Sequence, residues 1–205
     1  IGLTILPVLY QYGGCDLRPL EEGQKRFGNN IDEYEKLFSK VLENLKFNSK
    51  DTQIGVAPHS LRAVHPDNFK GLMELARNKP IHMHLAEQVA EVEEVKDSWG
   101  ARPVEWVLNN LDINEQWCMI HCTQMEPQEV IGLAKSGAIA GLCPMTESSL
   151  GDGIFEGTKW FEHTGSIAIG SDSNIRVSLS EELRILEYSQ RLRDKSRSAL
   201  ATADK

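Results

Sequence analysis

The sequence lacks any apolar run that approaches the roughly 20 residues of a membrane-spanning helix. It also lacks a surplus of cations, since 30 acidic residues stand against 22 basic ones and the net charge is −8 at pH 7. Phosphate groups are bound by clustered lysine and arginine, so this balance argues against nucleic acid and against a membrane as partners. There is no N-terminal signal pattern and no initiator methionine, and we therefore expect a piece of a longer protein.

Cysteine is scarce, and the 4 cysteines do not form a Cys-x-x-Cys pair. Cys118, Cys122 and Cys143 lie in apolar runs that resemble strands. This arrangement favours buried free thiols in a reducing compartment over a disulfide framework or a cysteine-rich zinc site. We therefore expect a cytoplasmic protein.

No Gly-x-Gly-x-x-Gly motif follows the first apolar run, which counts against a dinucleotide-binding fold. With 205 residues, 40% of them hydrophobic, the chain is long enough for one globular domain with a sizeable core. Apolar runs typical of buried strands alternate with helical segments, which is the pattern of an α/β protein with a parallel sheet. The predicted strands lie at 1–10, 54–57, within 80–88, and at 117–121, 138–143 and 166–170. The predicted helices lie at 31–45, 66–78, about 88–97, 103–111, 127–136 and 181–193.

The third predicted strand carries two histidines and ends at a carboxylate. Alternation along the strand places His82 and His84 on one face, and Glu87 follows where the strand ends. Neutral imidazole binds zinc, and a carboxylate beside it can move protons, so these residues suit a metal–water site. For this segment alone, a strand with two hydrogen-bonded core histidines is an equally good interpretation.

Polar side chains recur directly after other predicted strands. His59 and Arg62 follow the second strand, His121 ends the fourth, and Asp172 follows the sixth. In a (β/α)₈ barrel the carboxyl ends of the strands share one face, and active sites lie there. The sequence therefore predicts a doubly wound sheet or part of such a barrel, with these side chains as the candidate site.

The set resembles the amidohydrolase superfamily of metal-dependent deaminases and hydrolases, through His84-x-x-Glu87, then His121, then Asp172 in Gly-Ser-Asp-Ser. Longer segments are similar to the formimidoylglutamate deiminase family of histidine degradation, from the first residues to about Asp194. Those segments lie at 6–10, 23–27, 58–64, 82–88, 141–144, 150–155 and 181–184. The Pro-His-Ser-Leu-Arg segment at 58–62 and the Leu-Gly-Asp-Gly-Ile-Phe segment at 150–155 indicate this narrower family.

The resemblance implies strands three to eight of a partial (β/α)₈ TIM-type barrel over 1–194, followed by a polar tail at 195–205. We expect this tail to be frayed after Arg197 and to be the start of a truncated C-terminal part. The family's first two strands, which carry a His-x-His metal pair, and its small β-domain are expected outside this chain.

His84 and Asp172 are implied to bind one divalent metal, most simply Zn²⁺, although iron and manganese accept similar ligands. The spacing to Glu87 selects His84 over His82, and His82 is expected to be a buried, hydrogen-bonded histidine. Glu87 is implied to protonate the leaving nitrogen, and His121 to orient or polarise the hydroxide or the tetrahedral intermediate. Outside the resemblance, Glu87 is interpreted as a solvated acid, His121 as a core histidine and Asp172 as a turn residue.

The implied reaction is hydrolysis of N-formimidoyl-L-glutamate to N-formyl-L-glutamate and ammonia. Zinc lowers the pKa of water towards about 7, so hydroxide can attack the formimidoyl carbon while Glu87 and Asp172 move protons. His59 and Arg62 are implied to bind the substrate. A guanidinium can hold a carboxylate through two bonds, and a glutamate-derived small molecule offers two carboxylates.

Several departures from the family leave the exact substrate open. Asn174 stands where histidine is usual, and Met145, Ser148 and Ser149 differ from the usual Thr-Thr-Glu-Ala-Asn loop. Another deaminase or chlorohydrolase acting on a purine, pterin or triazine ring is one alternative, and a metal-free barrel fragment acting as a binding module is another. We expect the isolated 205-residue piece to bind zinc weakly and to have little activity. The sequence leaves the oligomeric state open, and a homodimer is one assembly compatible with it.

Overall fold

The computed structural model describes residues 2–45, 51–173 and 176–201, in which short parallel strands alternate with helices. The strands are β1 Leu3–Ile5, β2 Val8–Leu9, β3 Thr52–Ile54, β4 Ala57–Pro58, β5 Ile81–Leu85, β6 Trp117–His121, β7 Ile139–Leu142 and β8 Ser166–Ile169. The helices are α1 Glu22–Lys25, α2 Ile31–Leu45, α3 Phe69–Leu75, α4 Val89–Trp99, α5 Pro103–Asn110, α6 Pro127–Lys135, α7 Pro144–Leu150, α8 Gly157–Glu162 and α9 Leu179–Asp194, with a 3₁₀ turn at Pro66–Asn68.

The six predicted strands pair with their neighbours in chain order, although the first two are divided between β1 to β4. β5, β6, β7 and β8 form one parallel sheet, while β1 pairs with β3 and β2 pairs with β4, also in parallel. Bridges between Val56 and Ile81 and between Ser60 and His84 join the second predicted strand to β5. This arrangement confirms the α/β fold class and the parallel sheet.

The first two predicted strands are each divided into two short strands, and the two divisions lie side by side, between β1 and β2 and between β3 and β4. The pairs Ile5–Ile54 and Val8–Ala57 keep one register, so the division interrupts a single pairing. Pro7 has no N–H to contribute to a ladder. On the neighbouring segment, Gly55 packs so tightly that a Cβ there would lie 2.5 Å from the Pro80 carbonyl oxygen and 2.6 Å from Cδ2 of Leu6. The strand pairing is therefore interrupted here, and it resumes in the same register.

The predicted helices are confirmed to within a few residues at most ends, but three short helices were not predicted. α1, α7 and α8 contain 4, 7 and 6 residues, too few for a helical repeat of apolar residues to stand out. α7 begins with Pro144, whose fixed φ angle suits the first turn of a helix. The segment predicted as a helix over 66–78 begins as a 3₁₀ turn, and its α-helix ends at Leu75.

One face of the sheet is buried beneath the helices, and the other is more open. The covered face presents Met83, Leu85, Met119, Ala140 and Leu142, all at most 1% exposed. The register aligns the side chains of the opposite face in rows; they are His82, Cys118 and Ile139, then His84, Ile120 and Gly141. The histidine face is therefore the accessible side of the sheet.

All four cysteines are free and buried, as predicted. Burial raises the pKa of Cys118 to about 11 and, as the largest cause, that of Cys15 and Cys143 to about 12. Among the described residues, no helix has the length and apolar character needed to cross a membrane.

The segment after α9 differs from the frayed tail expected from its polar sequence. The backbone N–H groups of Ala199, Leu200 and Ala201 donate to the carboxylate of Glu187, and Leu200 packs against the core. The chain therefore folds back onto α9 as far as residue 201.

Candidate active site

The carboxyl ends of three strands have strained backbone conformations. Ala86 after β5, His121 and Cys122 at the end of β6, and Asp172 after β8 have φ angles of 50°, 73°, 53° and 40°. Non-glycine residues in this left-handed region cost on the order of 1–3 kcal/mol each, and such strain clusters at functional sites. The predicted site residues His121 and Asp172 are two of these four.

His84 has one ring nitrogen committed to the backbone. Its Nδ1 lies 2.8 Å from the carbonyl oxygen of His59, which can only accept, so Nδ1 carries the proton. Burial lowers the pKa of His84, and the Asp172 carboxylate acts in the opposite direction. The neutral ring therefore has a free lone pair on Nε2, which is the form of histidine that binds metals.

Four rings form a row across neighbouring strand ends. Centroid distances are 4.3 Å for Tyr10 and His59, 4.7 Å for His59 and His84, and 5.6 Å for His84 and His121. The structure thus brings together three predicted site histidines that are up to 62 positions apart in sequence, from His59 to His121. Their proximity follows from the parallel order of β4, β5 and β6.

Glu87 lies beside His121 at the end of β5. Its Oε1 is 3.7 Å from His121 Nε2, and its side chain is 15% exposed. Burial raises the pKa of Glu87, and the nearby carboxylates of Asp152 and Glu91 add to this, against the opposing effect of His121. A carboxyl group with a raised pKa can hold a proton and deliver it to a leaving group.

Glu91, in the first turn of α4, fixes the backbone that carries Glu87. Its Oε1 accepts the N–H of Ala86 at 3.1 Å, and its Oε2 accepts the N–H of Glu87 at 2.8 Å. Thr123 completes this clamp, because its hydroxyl donates to the Glu87 carbonyl oxygen at 2.6 Å. The strained turn at Ala86 is thereby held by two neighbouring elements.

His121 contacts a second buried carboxylate. Its Nδ1 lies 3.2 Å from Oε1 of Glu147, and the same oxygen accepts the N–H of Cys143 at 2.8 Å. Burial lowers the pKa of His121, but the bond to Glu147 and the charges of Glu87 and Asp172 outweigh it and raise the pKa overall. The ligand atoms of His121, Cys143 and Glu147 all lie within 4.8 Å of one another, so this cluster could also hold a metal ion.

Arg62 has a buried nitrogen without a hydrogen-bond partner. Within the described part of the chain, nothing accepts from its Nε. Burial lowers the pKa of the neighbouring His59 to about 3, and the charges of His84 and Arg62 act in the same direction. A cation with an unpaired buried donor beside a neutral imidazole is a suitable place for an anionic ligand.

The other predicted positions are Asp172, Asn174 and the three residues of the 145–149 segment. Asp172 is exposed, and its charge acts on His84 and His121. Asn174 lies outside the described residues. Ser148 and Ser149 are exposed on the last turn of α7, and Met145 donates its N–H to Glu182.

His82 differs from the buried, hydrogen-bonded histidine that was expected. It points to the same face as His84, as alternation predicts, but it is half-buried. Its ring makes no hydrogen bond with any residue in the described ranges. The choice of His84 over His82 as the candidate ligand is itself unchanged.

Two residues of the site, Glu91 and Glu147, were not identified from the sequence. Glu91 lies in the helix predicted at about 88–97, for which no role in the site was predicted, and Glu147 lies in a segment without a predicted helix. A glutamate in the first turn of a helix that directly follows a strand can fold back onto free N–H groups, and this pattern was the available signal.

Comparison with known proteins places this geometry in a family. The model of the amidohydrolase family matches residues 18–204. The chain belongs to the amidohydrolase family. The sequence is 42% identical to formimidoylglutamate deiminase of Pseudomonas aeruginosa over 205 residues, which cover 100% of this chain and 45% of that protein. It thus spans less than half the length of this relative.

Solved structures of amidohydrolases superpose closely on the chain. An amidohydrolase from Brucella melitensis matches with a TM-score of 0.95 and 45% identity, over 100% of this chain and 46% of that one. An adenosine deaminase from Xanthomonas campestris, described with bound zinc, matches with a TM-score of 0.82 and 20% identity, over 98% of this chain and 44% of that one. These likenesses show that the chain forms part of an amidohydrolase barrel.

Proposed function

We propose that this chain supplies part of the active site of a metal-dependent hydrolase that converts N-formimidoyl-L-glutamate to N-formyl-L-glutamate and ammonia. The observation that carries the proposal is the cluster at the strand ends. There, His84 presents a free Nε2 in the row of rings that leads to His121, and Glu87 lies 3.7 Å from His121. The choice of substrate is supported by the 42% identity to the Pseudomonas aeruginosa deiminase over the whole chain.

The donors of this chain fit a divalent metal. His84 Nε2 and the Asp172 carboxylate would be its ligands here, a set of N and O donors that suits zinc. When bound, such an ion lowers the pKa of water and so supplies hydroxide near neutral pH. The His59 carbonyl oxygen holds the His84 ring in the required tautomer.

Three residues of the chain would move protons or position groups in the reaction. Asp172 accepts a proton from the attacking water. Glu87, whose pKa is raised chiefly by burial, carries a proton to the leaving nitrogen, so that ammonia departs. His121 donates to or accepts from the groups at the reacting carbon through Nε2, the nitrogen that faces Glu87.

Arg62 and His59 would recognise the substrate. The buried Nε of Arg62 has no partner in the described part of the chain, and a substrate carboxylate would satisfy it. His59 is neutral near pH 7, because its pKa is about 3, so it offers hydrogen bonds without adding charge. An aromatic ring substrate would leave the Arg62 charge unpaired, and this favours an acidic substrate.

The experiment compares the 205-residue chain with the same chain inside whatever longer polypeptide its gene encodes. Ammonia release from N-formimidoyl-L-glutamate is measured with added Zn²⁺, and bound metal is measured after dialysis. We expect activity in the longer protein and little in the isolated chain. Glu87→Gln should remove the activity while bound metal is retained.

Two results would contradict the proposal. The first is the absence of both metal and ammonia release in the longer protein. The second is activity on a purine-type substrate that Arg62→Ala leaves unchanged, because this would indicate a ring deaminase. Full activity and firm metal binding by the isolated chain would overturn only the expectation that the chain is incomplete.

A further inference from the structure

The contact between Glu147 and His121 lies behind the proposed catalytic groups and away from solvent. His121 and Glu147 are 1% and 3% exposed. Glu147 Oε1 is 3.2 Å from His121 Nδ1, on the side of the ring opposite to the nitrogen that faces Glu87. The imidazole is therefore held between two carboxylates with different surroundings.

The carboxylate of Glu147 is held in place by a contact that does not involve the His121 ring. Its Oε1 accepts the N–H of Cys143 at 2.8 Å, at the junction between β7 and α7. Pro144 begins α7 at this point and restricts the backbone. The oxygen is thus presented to His121 from the first turn of α7, and the contact does not depend on a flexible surface side chain.

Against an ionised Glu147, this geometry favours a proton on Nδ1. A bare Nδ1 would place its lone pair against a carboxylate oxygen at 3.2 Å, which is repulsive, and more so in a dry site. A protonated Nδ1 instead donates to Oε1. Since a neutral imidazole carries one proton, Nε2 is then left with its lone pair facing Glu87.

We propose that Glu147 is a positioning residue that keeps the proton on Nδ1 of His121 and thereby presents Nε2 of the neutral ring as an acceptor to Glu87 and the reacting groups. The arrangement resembles the way a buried aspartate sets the tautomer of histidine in hydrolytic triads. The value of this tautomer for deimination rests on the proposed function, whereas the tautomer itself does not.

A metal ion in the His121, Cys143 and Glu147 cluster would have the opposite effect on Nδ1. Glu147 Oε1 already accepts from two donors, and the Cys143 thiol has a pKa of about 12, raised chiefly by burial. Binding a metal there would break the bond between His121 Nδ1 and Glu147 and require removal of the thiol proton. These costs favour the hydrogen-bonded arrangement.

The experiment is NMR of the chain labelled with ¹⁵N in its histidine rings, in the presence of a chelator and at a pH where the His121 ring is neutral. Long-range couplings distinguish a protonated ring nitrogen from a bare one. The His121 signals are assigned by comparison with His121→Asn. We expect a protonated Nδ1 and a bare Nε2, and a spectrum with Nε2 protonated and Nδ1 bare would overturn the proposal.

Variants of Glu147 separate positioning from folding. Glu147→Gln keeps the Oε1 that accepts both bonds, so the tautomer should persist. Glu147→Leu removes the acceptor, and at least half of the rings should then carry the proton on Nε2. Glu129→Leu is the matched control, because Glu129 is also a buried glutamate in the first turn of a helix but contacts Arg102 instead of His121.

Three outcomes would count against the assignment. They are a Glu147→Leu variant that keeps Nδ1–H, a Glu147→Gln variant that loses it, and loss of the Nδ1 proton when Zn²⁺ is added to the wild-type chain. The last would place a metal in the cluster. If Glu147→Leu does not fold, the spectra of the wild-type chain and of Glu147→Gln still test which ring nitrogen carries the proton, since both proteins keep the acceptor oxygen. Because no spectrum depends on turnover, a failed deimination assay would leave this result intact.

Discussion

The Nδ1 atom of His84 donates to the carbonyl oxygen of His59 at 2.8 Å, across the junction between β5 and the end of β4. This single bond determines which nitrogen of His84 is free. It also links a candidate metal ligand to a candidate substrate-binding residue. A shift of the 58–62 segment would therefore move both functions together, and the following predictions concern the groups on either side of this bond.

Replacing His84 should weaken metal binding more than replacing His82. We expect His84→Ala to raise the Kd for Zn²⁺ at least about tenfold, since loss of even an outer hydrogen-bond partner of a ligand costs that much. His82→Ala is the control, because His82 lies on the same face of the same strand. Competition with a chromophoric chelator measures the Kd for Zn²⁺ of both variants. An equal increase in the two would contradict the assignment of His84 as the metal ligand.

Removing the Arg62 charge should not destabilise the fold. Its Nε is buried without a partner in the described residues, so Arg62→Met should leave the free energy of unfolding within about 1 kcal/mol of wild type, or raise it. Urea denaturation measures this change. A loss of several kcal/mol would show that Arg62 has a structural role.

Arg102 provides the matched comparison for Arg62. Its guanidinium bonds Glu129 and the Gln124 carbonyl oxygen, and Glu129 is 4% exposed. Arg102→Met would leave that carboxylate buried and unpaired, and should lower the free energy of unfolding by about 3 kcal/mol. The contrast between the two arginines tests whether Arg62 is reserved for a ligand.

Glu91 should contribute strongly to stability although it belongs to a charged helix. Glu91→Ala removes the acceptor of the Ala86 and Glu87 N–H groups and should lower the free energy of unfolding by about 3 kcal/mol. Glu93→Ala, an exposed position on the same helix, should change it by less than about 0.5 kcal/mol. Similar small effects at both positions in urea denaturation would refute the proposed clamp.

Docking of the segment 199–201 should depend on pH through Glu187. Burial opposes ionisation of this carboxyl, but three backbone N–H groups and Arg191 outweigh it and lower its pKa from the usual 4.5 to about 2. A lowered pKa in the folded chain means that the contribution to stability is full above about pH 4.5 and is lost as the pH falls towards 2.

Hydrogen exchange of the Ala199, Leu200 and Ala201 amides measures this docking. Protection relative to the α9 amides should decrease between pH 4.5 and 2 in the wild-type chain. Glu187→Gln should lose this pH dependence, because its side chain does not titrate. If the pH dependence of protection persists in Glu187→Gln, a group other than Glu187 causes it.

The placement of the predicted site residues could be inferred from local patterns. Alternation in β5 put His82 and His84 on one face, and polar residues after apolar runs marked the strand ends. In a parallel sheet those ends must meet, so the proximity of His84, Glu87 and His121 followed from strand order. Their catalytic roles remain predictions, as do the metal and the substrate.

The sequence alone determined the order of the strands and of the longer helices, and it placed His82 and His84 on one face, because apolar periodicity acts over a few residues. Only the tertiary structure decided which buried groups meet. Glu147 lies 26 positions from His121, and Glu129 lies 27 positions from Arg102, so both contacts depend on how separate elements pack. Hydrogen-bond partners are selected at distances near 3 Å, and such distances depend on the register of the whole sheet.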